Sequence, residues 1–134
     1  LTAALQKEAT NAYILCLQPT SRSAFISATP ETLFSRSANL IRTEALASTR
    51  RCKENKRFTK KKTSKDQREF RLVEESIVEA LKPYAEAPLS FSPQSVRTTS
   101  GLKHLYSRLE TTLSSPLTDD QLLDLLHPTA ALLG

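Results

Sequence analysis

The feature that most constrains the fold is an apolar stripe between Ser64 and Pro83. Ser64 followed three residues later by Gln67 fits a helix N-cap with a glutamine at the third position. Apolar residues then recur at three- and four-residue spacing, as in an amphipathic helix; they are Phe70, Val73, Ile77, Val78 and Leu81. Proline cannot continue a helix, so the sequence predicts a helix that ends at Pro83.

Short apolar runs before this helix predict two β-hairpins. Residues 12–17 and 24–28 form the first pair, separated by the polar segment 18–23. Residues 33–36 and 40–43 form the second, although the composition of residues 31–46 also permits a helix. The first eleven residues resemble the end of a helix, and residues 88–99 predict strand and turn.

The segment 101–113 fits two templates. Five residues fit a helix face, which makes the helix the favoured interpretation from spacing alone; they are Leu102, Leu105, Tyr106, Leu109 and Leu113. With a period of two, residues 105–113 fit a strand with one mostly apolar face. Further on, Thr118 with Gln121 predicts a short capped helix through Leu126, stopped by Pro128.

The formal net charge of +5 conceals a segregated pattern. Residues 50–62 hold eight Lys or Arg and one Glu, and the rest of the chain is mildly acidic. Residues 50–63 are therefore predicted to be a basic insertion loop, with a solvated loop as its default structure. The alternative is a non-catalytic remnant that binds an anionic partner through this basic arm. Nucleic acid is disfavoured as that partner because only Phe58 offers an aromatic ring for base stacking.

Other classes are excluded by composition. Two cysteines, Cys16 and Cys52, can build neither a disulfide framework nor a zinc site, which favours a reducing compartment. No apolar run is long enough to span a bilayer. The two glycines exclude glycine-rich phosphate loops. The chain does not begin with Met, so we expect a processed chain or a piece of a longer one, and no targeting pattern is visible.

Three short strings could carry chemistry. In Thr29-Pro30-Glu31, a carboxylate follows an apolar strand and could act as a general acid or base, although Pro and Glu also favour an ordinary helix start. Glu69 lies at the edge of the predicted helix's apolar stripe and could bind Mg²⁺, or be a solvated surface residue. Residues 126–134, LHPTAALLG, suit a carboxylate-binding turn or a simple helix stop.

The order of five strings is more informative than any one of them. FISATPETLFSR, IRTEALASTR, SKDQREFRLVEESI, LKHLYSRLETTL and LLDLLHPTAALLG follow one another along the chain. This succession resembles the chorismate-utilising enzymes, which include isochorismate synthase, salicylate synthase and the large subunit of anthranilate synthase. Plant and algal isochorismate synthases are the most similar, because Phe70 and Ser48 stand where many relatives have His and Gly.

The resemblance implies an Mg²⁺-dependent isomerase of chorismate. In that chemistry a lysine activates water for attack on C2, a glutamate protonates the departing C4 hydroxyl, and Mg²⁺ holds the ring carboxylate. Glu31 then matches the general acid, Glu69 a metal-binding carboxylate, and His104 a histidine beside the reacting ring. The implied substrate-binding residues are Ala47, Ser48, Thr49, His127 and Thr129.

The resemblance also implies an α+β fold, with helices packed outside mostly antiparallel sheets. On that template residues 12–18, 24–29, 32–37, 40–46 and 104–113 are strands, which overrules the helical interpretation of 101–113. The whole chain would be a partial chorismate-binding domain with a role in menaquinone, phylloquinone or salicylate biosynthesis. The resemblance implies localisation in the chloroplast, with the cytoplasm as the alternative.

The resemblance further implies that parts of the site lie outside this sequence. No residue here matches the catalytic lysine. In the family, the second metal-binding carboxylate and the basic residues that hold the pyruvyl side chain of chorismate lie after the position that corresponds to 134. We therefore expect the fragment to be inactive alone, to expose sheet edges and apolar faces, and to need the remainder of the domain or a protein partner.

Overall fold

The computed structural model describes residues 12–53, 58, 64–99 and 101–127. In chain order the elements are β1 (Tyr13–Thr20), β2 (Ser23–Thr29), β3 (Ser35–Ser37), β4 (Leu40–Arg51), α1 (Lys65–Leu81), a 3₁₀ turn (Lys82–Tyr84), β5 (Ser95–Thr99), β6 (Leu102–Thr112) and α2 (Asp119–Leu126). The predicted helix end in residues 1–11 lies outside the described residues.

The strands form two antiparallel sheets. Strands β1 and β2 pair as a hairpin, and the second sheet has the order β3-β4-β6-β5. Both predicted hairpins are confirmed, and the helical alternative for residues 31–46 is wrong. The strand predicted at 32–37 is shorter than expected, because only Ser35–Ser37 pair with β4. Strand β4 continues to Arg51, two residues into the segment assigned to the basic loop.

Residues 102–112 form the central strand β6, so the helix favoured by spacing is wrong and the strand implied by the family resemblance is correct. Leu105, Leu109 and Leu113 are each no more than 1% exposed. A separation of four residues keeps side chains on one face in a helix and in a strand alike, so the leucines could not distinguish the two. Pairing with β4 and β5 on both sides supplies the backbone hydrogen bonds of the strand.

The hydrophobic core of the described residues lies between one face of the four-stranded sheet and helices α1 and α2. Helix α1 buries four of the five residues of the predicted stripe and leaves Val78 half-buried, and α2 buries Leu122 and Leu126. The caps are as predicted, since the side chains of Ser64 and Thr118 accept hydrogen bonds from the third residue of each helix. None of the helices in the described ranges is long and apolar enough to cross a membrane.

The β1–β2 hairpin has little cover. Tyr13, Leu15, Leu17 and Phe25 lie on one of its faces, and each is between 46% and 61% exposed. Apolar faces of this kind commonly mark surfaces that contact other protein. The expected exposure of apolar sheet surface is therefore confirmed for this hairpin.

Candidate active site

The face of the four-stranded sheet opposite the helices is polar. Along β6, Leu105, Ser107 and Leu109 face the helices, so the alternating residues His104 and Tyr106 lie on the other face. Strand β4 adds Glu44, and β5 adds Arg97 directly opposite His104. This alternation brings acidic, basic and aromatic side chains together on one surface.

An ion pair between Glu44 and Arg97 occupies the middle of this polar face. The Arg97 guanidinium donates from Nη1 and Nη2 to the two Glu44 oxygens, at 2.6 and 2.9 Å. It also lies 3.7 Å from the centroid of the Tyr106 ring, within the range of a cation–π contact. The side chains of Arg97 and Glu44 are only 23% and 9% exposed, so the pair is largely removed from solvent.

Glu31 lies in the connection between β2 and β3, beside this ion pair. Partial burial of its carboxyl group and, second, the negative charge of Glu44 raise the pKa of Glu31 above 4.5. The residue as a whole remains exposed, so water still reaches the carboxyl group. The direction of the shift suits a carboxylic acid that donates a proton.

His104 is buried, with only 6% of its surface exposed. Its Nδ1 lies 3.1 Å from the Thr49 hydroxyl, and its buried Nε2 has no hydrogen-bond partner among the residues that the structure describes. Burial and, second, the positive charge of Arg97 lower the pKa of His104 below 6.5. The lowered pKa favours the neutral imidazole at neutral pH.

Within the described ranges, the buried hydroxyl oxygens of Thr99 and Tyr106 also lack hydrogen-bond partners. Thr99 and Arg97 are two residues apart on β5 and share a face, as do Tyr106 and His104 on β6. All three unpartnered atoms found in the described part of the chain thus lie on the polar face around Arg97. Buried polar groups without partners are rare, and a ligand is one means of satisfying them.

The predicted carboxylate-binding turn, Ala47–Ser48–Thr49, is a β-bulge in β4. The register against β6 shifts between Ala47 and Arg50, and Ser48 has a φ of 60°, in the left-handed region where glycine is favoured. The bulge directs Ser48 toward α1 and Thr49 toward His104. Ala47 instead packs against the core.

Glu69 lies on the first turns of α1. Its carboxylate accepts a hydrogen bond from the Ser48 hydroxyl at 3.1 Å and lies 3.5 Å from the Lys65 ammonium. The side chain is 45% exposed, at the edge of the buried helix face as the sequence predicted. One accessible carboxylate suits Mg²⁺, which binds few protein oxygens. The described residues contain no group of three or more His, Cys, Asp or Glu that could hold a metal.

The structure connects Glu31, His104 and Glu69 indirectly. Arg97 lies opposite His104 and donates to the carbonyl of Pro30, next to Glu31. On the other side, adjacent bulge residues contact His104 and Glu69. No hydrogen bond or ion pair in the described ranges joins any two of the three predicted groups directly.

A cleft of about 520 Å³ opens beside Glu31. Its lining includes the residues on either side of Glu31 and the Glu44–Arg97 pair; the described lining residues are Ala12, Tyr13, Pro30, Thr32, Glu44, Arg97 and Arg108. The predicted residues Glu31, His104 and Glu69 are not part of this lining. The cleft is thus adjacent to the predicted general acid rather than centred on the three predicted groups.

The C-terminal candidates are not joined to this cluster. His127 is exposed and caps α2, where its N–H donates to the Leu123 carbonyl at 2.8 Å. No described contact links it to Glu31, His104 or Glu69. Thr129 lies outside the described residues.

The basic arm is also mostly outside the described residues. Of its described members, Arg50 forms an ion pair with Asp66. Its guanidinium carbon also lies 5.0 Å from the ring centroid of Phe58, the arm's aromatic residue. The ion pair with Asp66 attaches the described part of the arm to helix α1.

Sequence reasoning missed Glu44 and Arg97. One signal was present, since each is a charged residue inside a strand and Glu44 is followed by the apolar residues 45–47. Their pairing was not readable, because 53 residues separate them in the chain.

Comparison with known proteins decides the family. The sequence model described as "Chorismate binding enzyme" matches residues 1–134, the whole chain. The chain belongs to this family. The resemblance drawn from the five strings is thereby confirmed.

Several chorismate-binding relatives are isochorismate synthases. The chain is 39% identical over 138 residues to isochorismate synthase 2, chloroplastic, of Arabidopsis thaliana, covering 98% of the chain and 25% of that relative. It is 35% identical over 130 residues to the chloroplastic isochorismate synthase of Catharanthus roseus, covering 92% of the chain and 22% of that relative. The chain therefore spans about a quarter of the length of these proteins.

Solved structures of this family share the fold. The structure of MenF, the menaquinone-specific isochorismate synthase from Escherichia coli, superposes with a TM-score of 0.81 at 30% identity, covering 98% of this chain and 32% of MenF. DhbC from Bacillus anthracis gives a TM-score of 0.69 at 25% identity, covering 90% of this chain and 34% of DhbC. The predicted α+β class with antiparallel sheets is confirmed.

Proposed function

We propose that this chain supplies part of the active site of an isochorismate synthase, which converts chorismate to isochorismate. Water adds at C2, and the C4 hydroxyl leaves with a proton, so the reaction is an isomerisation. The observation that carries the proposal is the cleft of about 520 Å³ between the Glu44–Arg97 pair and the residues that flank Glu31, the carboxylic acid whose pKa is raised by burial and by the charge of Glu44. The isochorismate synthase relatives support the choice of substrate.

Glu31 is the general acid in this proposal. Its raised pKa favours the protonated form that can transfer a proton to the departing C4 hydroxyl. Its exposed position leaves it accessible from the adjoining cleft. His104 contributes as a neutral imidazole, because burial and the charge of Arg97 lower its pKa and the Thr49 hydroxyl holds Nδ1.

In this proposal the β4 bulge and the first turns of α1 bind the negatively charged carboxylate end of the substrate. Glu69 provides one ligand for Mg²⁺, and the backbone of residues 47–49 contacts a substrate carboxylate. Bound Mg²⁺ neutralises negative charge on the substrate. Ser48 holds the Glu69 carboxylate from β4, which fixes the ligand relative to the turn.

The remaining groups come from outside these 134 residues. The chain spans 25% of the Arabidopsis relative, and the candidate groups comprise one acid, one imidazole and one metal-binding carboxylate. We therefore expect the isolated 134-residue chain not to turn over chorismate with Mg²⁺. The chloroplastic plant relatives support the same compartment for the protein that contains this chain.

A chimera tests the proposal. The segment of Arabidopsis isochorismate synthase 2 that aligns with this chain is replaced by residues 1–134, and isochorismate is measured with chorismate and Mg²⁺. We expect turnover by the chimera and none by the isolated chain. Glu31→Gln should abolish most turnover, whereas Glu75→Gln, an exposed carboxylate on α1, should not.

Two results would contradict the proposal. If the chimera folds but does not bind chorismate, the assignment of chorismate as the substrate is wrong. Full activity in the Glu31→Gln chimera would remove the assigned acid.

A further inference from the structure

The backbone on both sides of Glu31 is held by one ion pair. Arg97 Nη1 donates to the carbonyl oxygen of Pro30 at 2.9 Å. The amide N–H of Thr32 donates to Glu44 Oε1 at 2.9 Å. Since Glu44 and Arg97 are joined to each other, these hydrogen bonds close a ring around Glu31.

The ion pair is itself fixed by the sheet. Glu44 belongs to β4 and Arg97 to β5, with β6 between them. Arg97 is stacked on the Tyr106 ring of that middle strand. Ion pairs that are exposed to solvent do little to fix the position of a neighbouring loop, because their side chains remain free to move. This pair is bidentate and largely buried, so it can hold a loop in one position.

We propose that Glu44 and Arg97 are positioning residues that together hold Glu31 at the edge of the 520 Å³ cleft. The inference rests on the proposed role of Glu31 as general acid. It adds that the acid's position is determined by residues from two other strands. A proton donor must lie within hydrogen-bond reach of its acceptor, so a displacement of about 1 Å in this loop is costly to turnover.

The electrostatics of the pair agree with this geometry. The charge of Glu44 is the second cause of the raised pKa of Glu31, and the charge of Arg97 is the second cause of the lowered pKa of His104. One ion pair therefore favours a protonated acid on one side and a neutral imidazole on the other.

The test uses the chimera with Glu44→Gln or Arg97→Lys. Gln keeps the shape of Glu44 but loses its charge, and Lys keeps the charge of Arg97 but loses the bidentate contact. We expect kcat to fall about 10- to 100-fold for each variant, with KM within about twofold of the unaltered chimera.

The matched control is Glu110→Gln. Glu110 pairs with Arg42 on the same face of the sheet, but its side chain is 49% exposed, so kcat should stay within about twofold. Unchanged kcat in both Glu44→Gln and Arg97→Lys would overturn the inference.

Two further measurements separate positioning from general stability. The pH above which kcat/KM declines reports Glu31 protonation and should move down in Glu44→Gln, since a negative neighbour is removed. Among the described residues, Arg97 and Glu44 are the charged groups that bond to this loop, and Tyr13 and Arg108 are the other titratable groups that line the cleft. Hydrogen exchange of a peptide covering residues 30–34 should be faster in both variants than in Glu110→Gln.

The outcomes distinguish the two proposals. An inactive unaltered chimera removes the proposed function and the catalytic meaning of the pair. Hydrogen exchange of residues 30–34 still tests whether the ion pair holds the loop. Equal exchange rates in Glu44→Gln, Arg97→Lys and Glu110→Gln would overturn that part of the inference as well. If the chimera is active, and its turnover and hydrogen exchange are unchanged by both substitutions, the positioning role is wrong and the proposed function stands.

Discussion

The Thr49 hydroxyl lies 3.1 Å from Nδ1 of His104. The contact joins β4 to β6 immediately after the bulge at Ser48. It fixes one imidazole nitrogen, while the other remains without a partner in the described part of the chain. The bulge in β4 thus places a hydroxyl group against a buried histidine of the neighbouring strand β6.

His104 should make stability depend on pH. Its folded pKa is lowered, so below about pH 6.5 the unfolded chain binds a proton that the folded chain resists. Stability therefore falls as the pH drops below 6.5 and levels off below the folded pKa. Urea midpoints between pH 7.5 and 5 should show this slope, and His104→Gln should flatten it. His127→Gln, at an exposed site, should leave it; an unchanged slope in His104→Gln would contradict the assignment.

Glu31 should stabilise the fold less than its neutral analogue. The pKa of Glu31 is raised in the folded state, so its ionisation lowers the free energy of unfolding. This loss is complete above the folded pKa and disappears as the pH falls through that pKa. Glu31→Gln should therefore be more stable than the unaltered chain at pH 7, with a smaller gain at pH 4. In the chimera the same change should lower kcat about 100-fold or more. If Glu31→Gln instead lowers stability at pH 7, the ionised carboxylate does not destabilise the folded state.

Ser48 offers a test of the bulge. Ser48→Ala keeps the left-handed φ but loses the hydroxyl contacts to Asp66 and Glu69, so it should destabilise the fold by about 1–2 kcal/mol. Ser48→Gly loses the same contacts but relieves about 1 kcal/mol of backbone strain. Denaturation should therefore rank the original chain above Gly, and Gly above Ala. Equal stability of the two variants would mean that the positive φ carries no strain.

Leu109 should be critical to the core. It is fully buried under the helices, so Leu109→Ala should lower the free energy of unfolding by about 3 kcal/mol. The matched control is Leu123→Ala on α2, where the side chain is 44% exposed and the loss should stay below about 1 kcal/mol. Similar losses at the two sites would contradict the position of the core.

Glu69→Gln should weaken Mg²⁺ binding in the chimera. The amide removes the charge of the proposed ligand, so we expect affinity to fall at least about tenfold. Mg²⁺ titration by calorimetry and the Mg²⁺ dependence of turnover both measure this. Glu75→Gln on the same helix is the control, and equal Mg²⁺ affinity in the two variants would remove Glu69 from the metal site.

The local elements were predictable because their signals are local. The caps at Ser64 and Thr118, and the stripe from Phe70 to Leu81, act through neighbours within one or two turns. The first hairpin followed from two apolar runs around a polar turn. The order of the five strings led to the family, and with it to the expectation that Glu31, Glu69 and His104 serve one reaction.

The tertiary structure decided how those pieces combine. Residues 102–112 became a strand because β4 and β5 bond to both of its edges, whereas leucines four apart suit helix and strand equally. Glu44 and Arg97 meet across 53 residues of sequence, and no local pattern encodes such a pairing. Chain order determined which chemical groups are available, and the pairing of distant strands determined which of them are buried, charged and in contact.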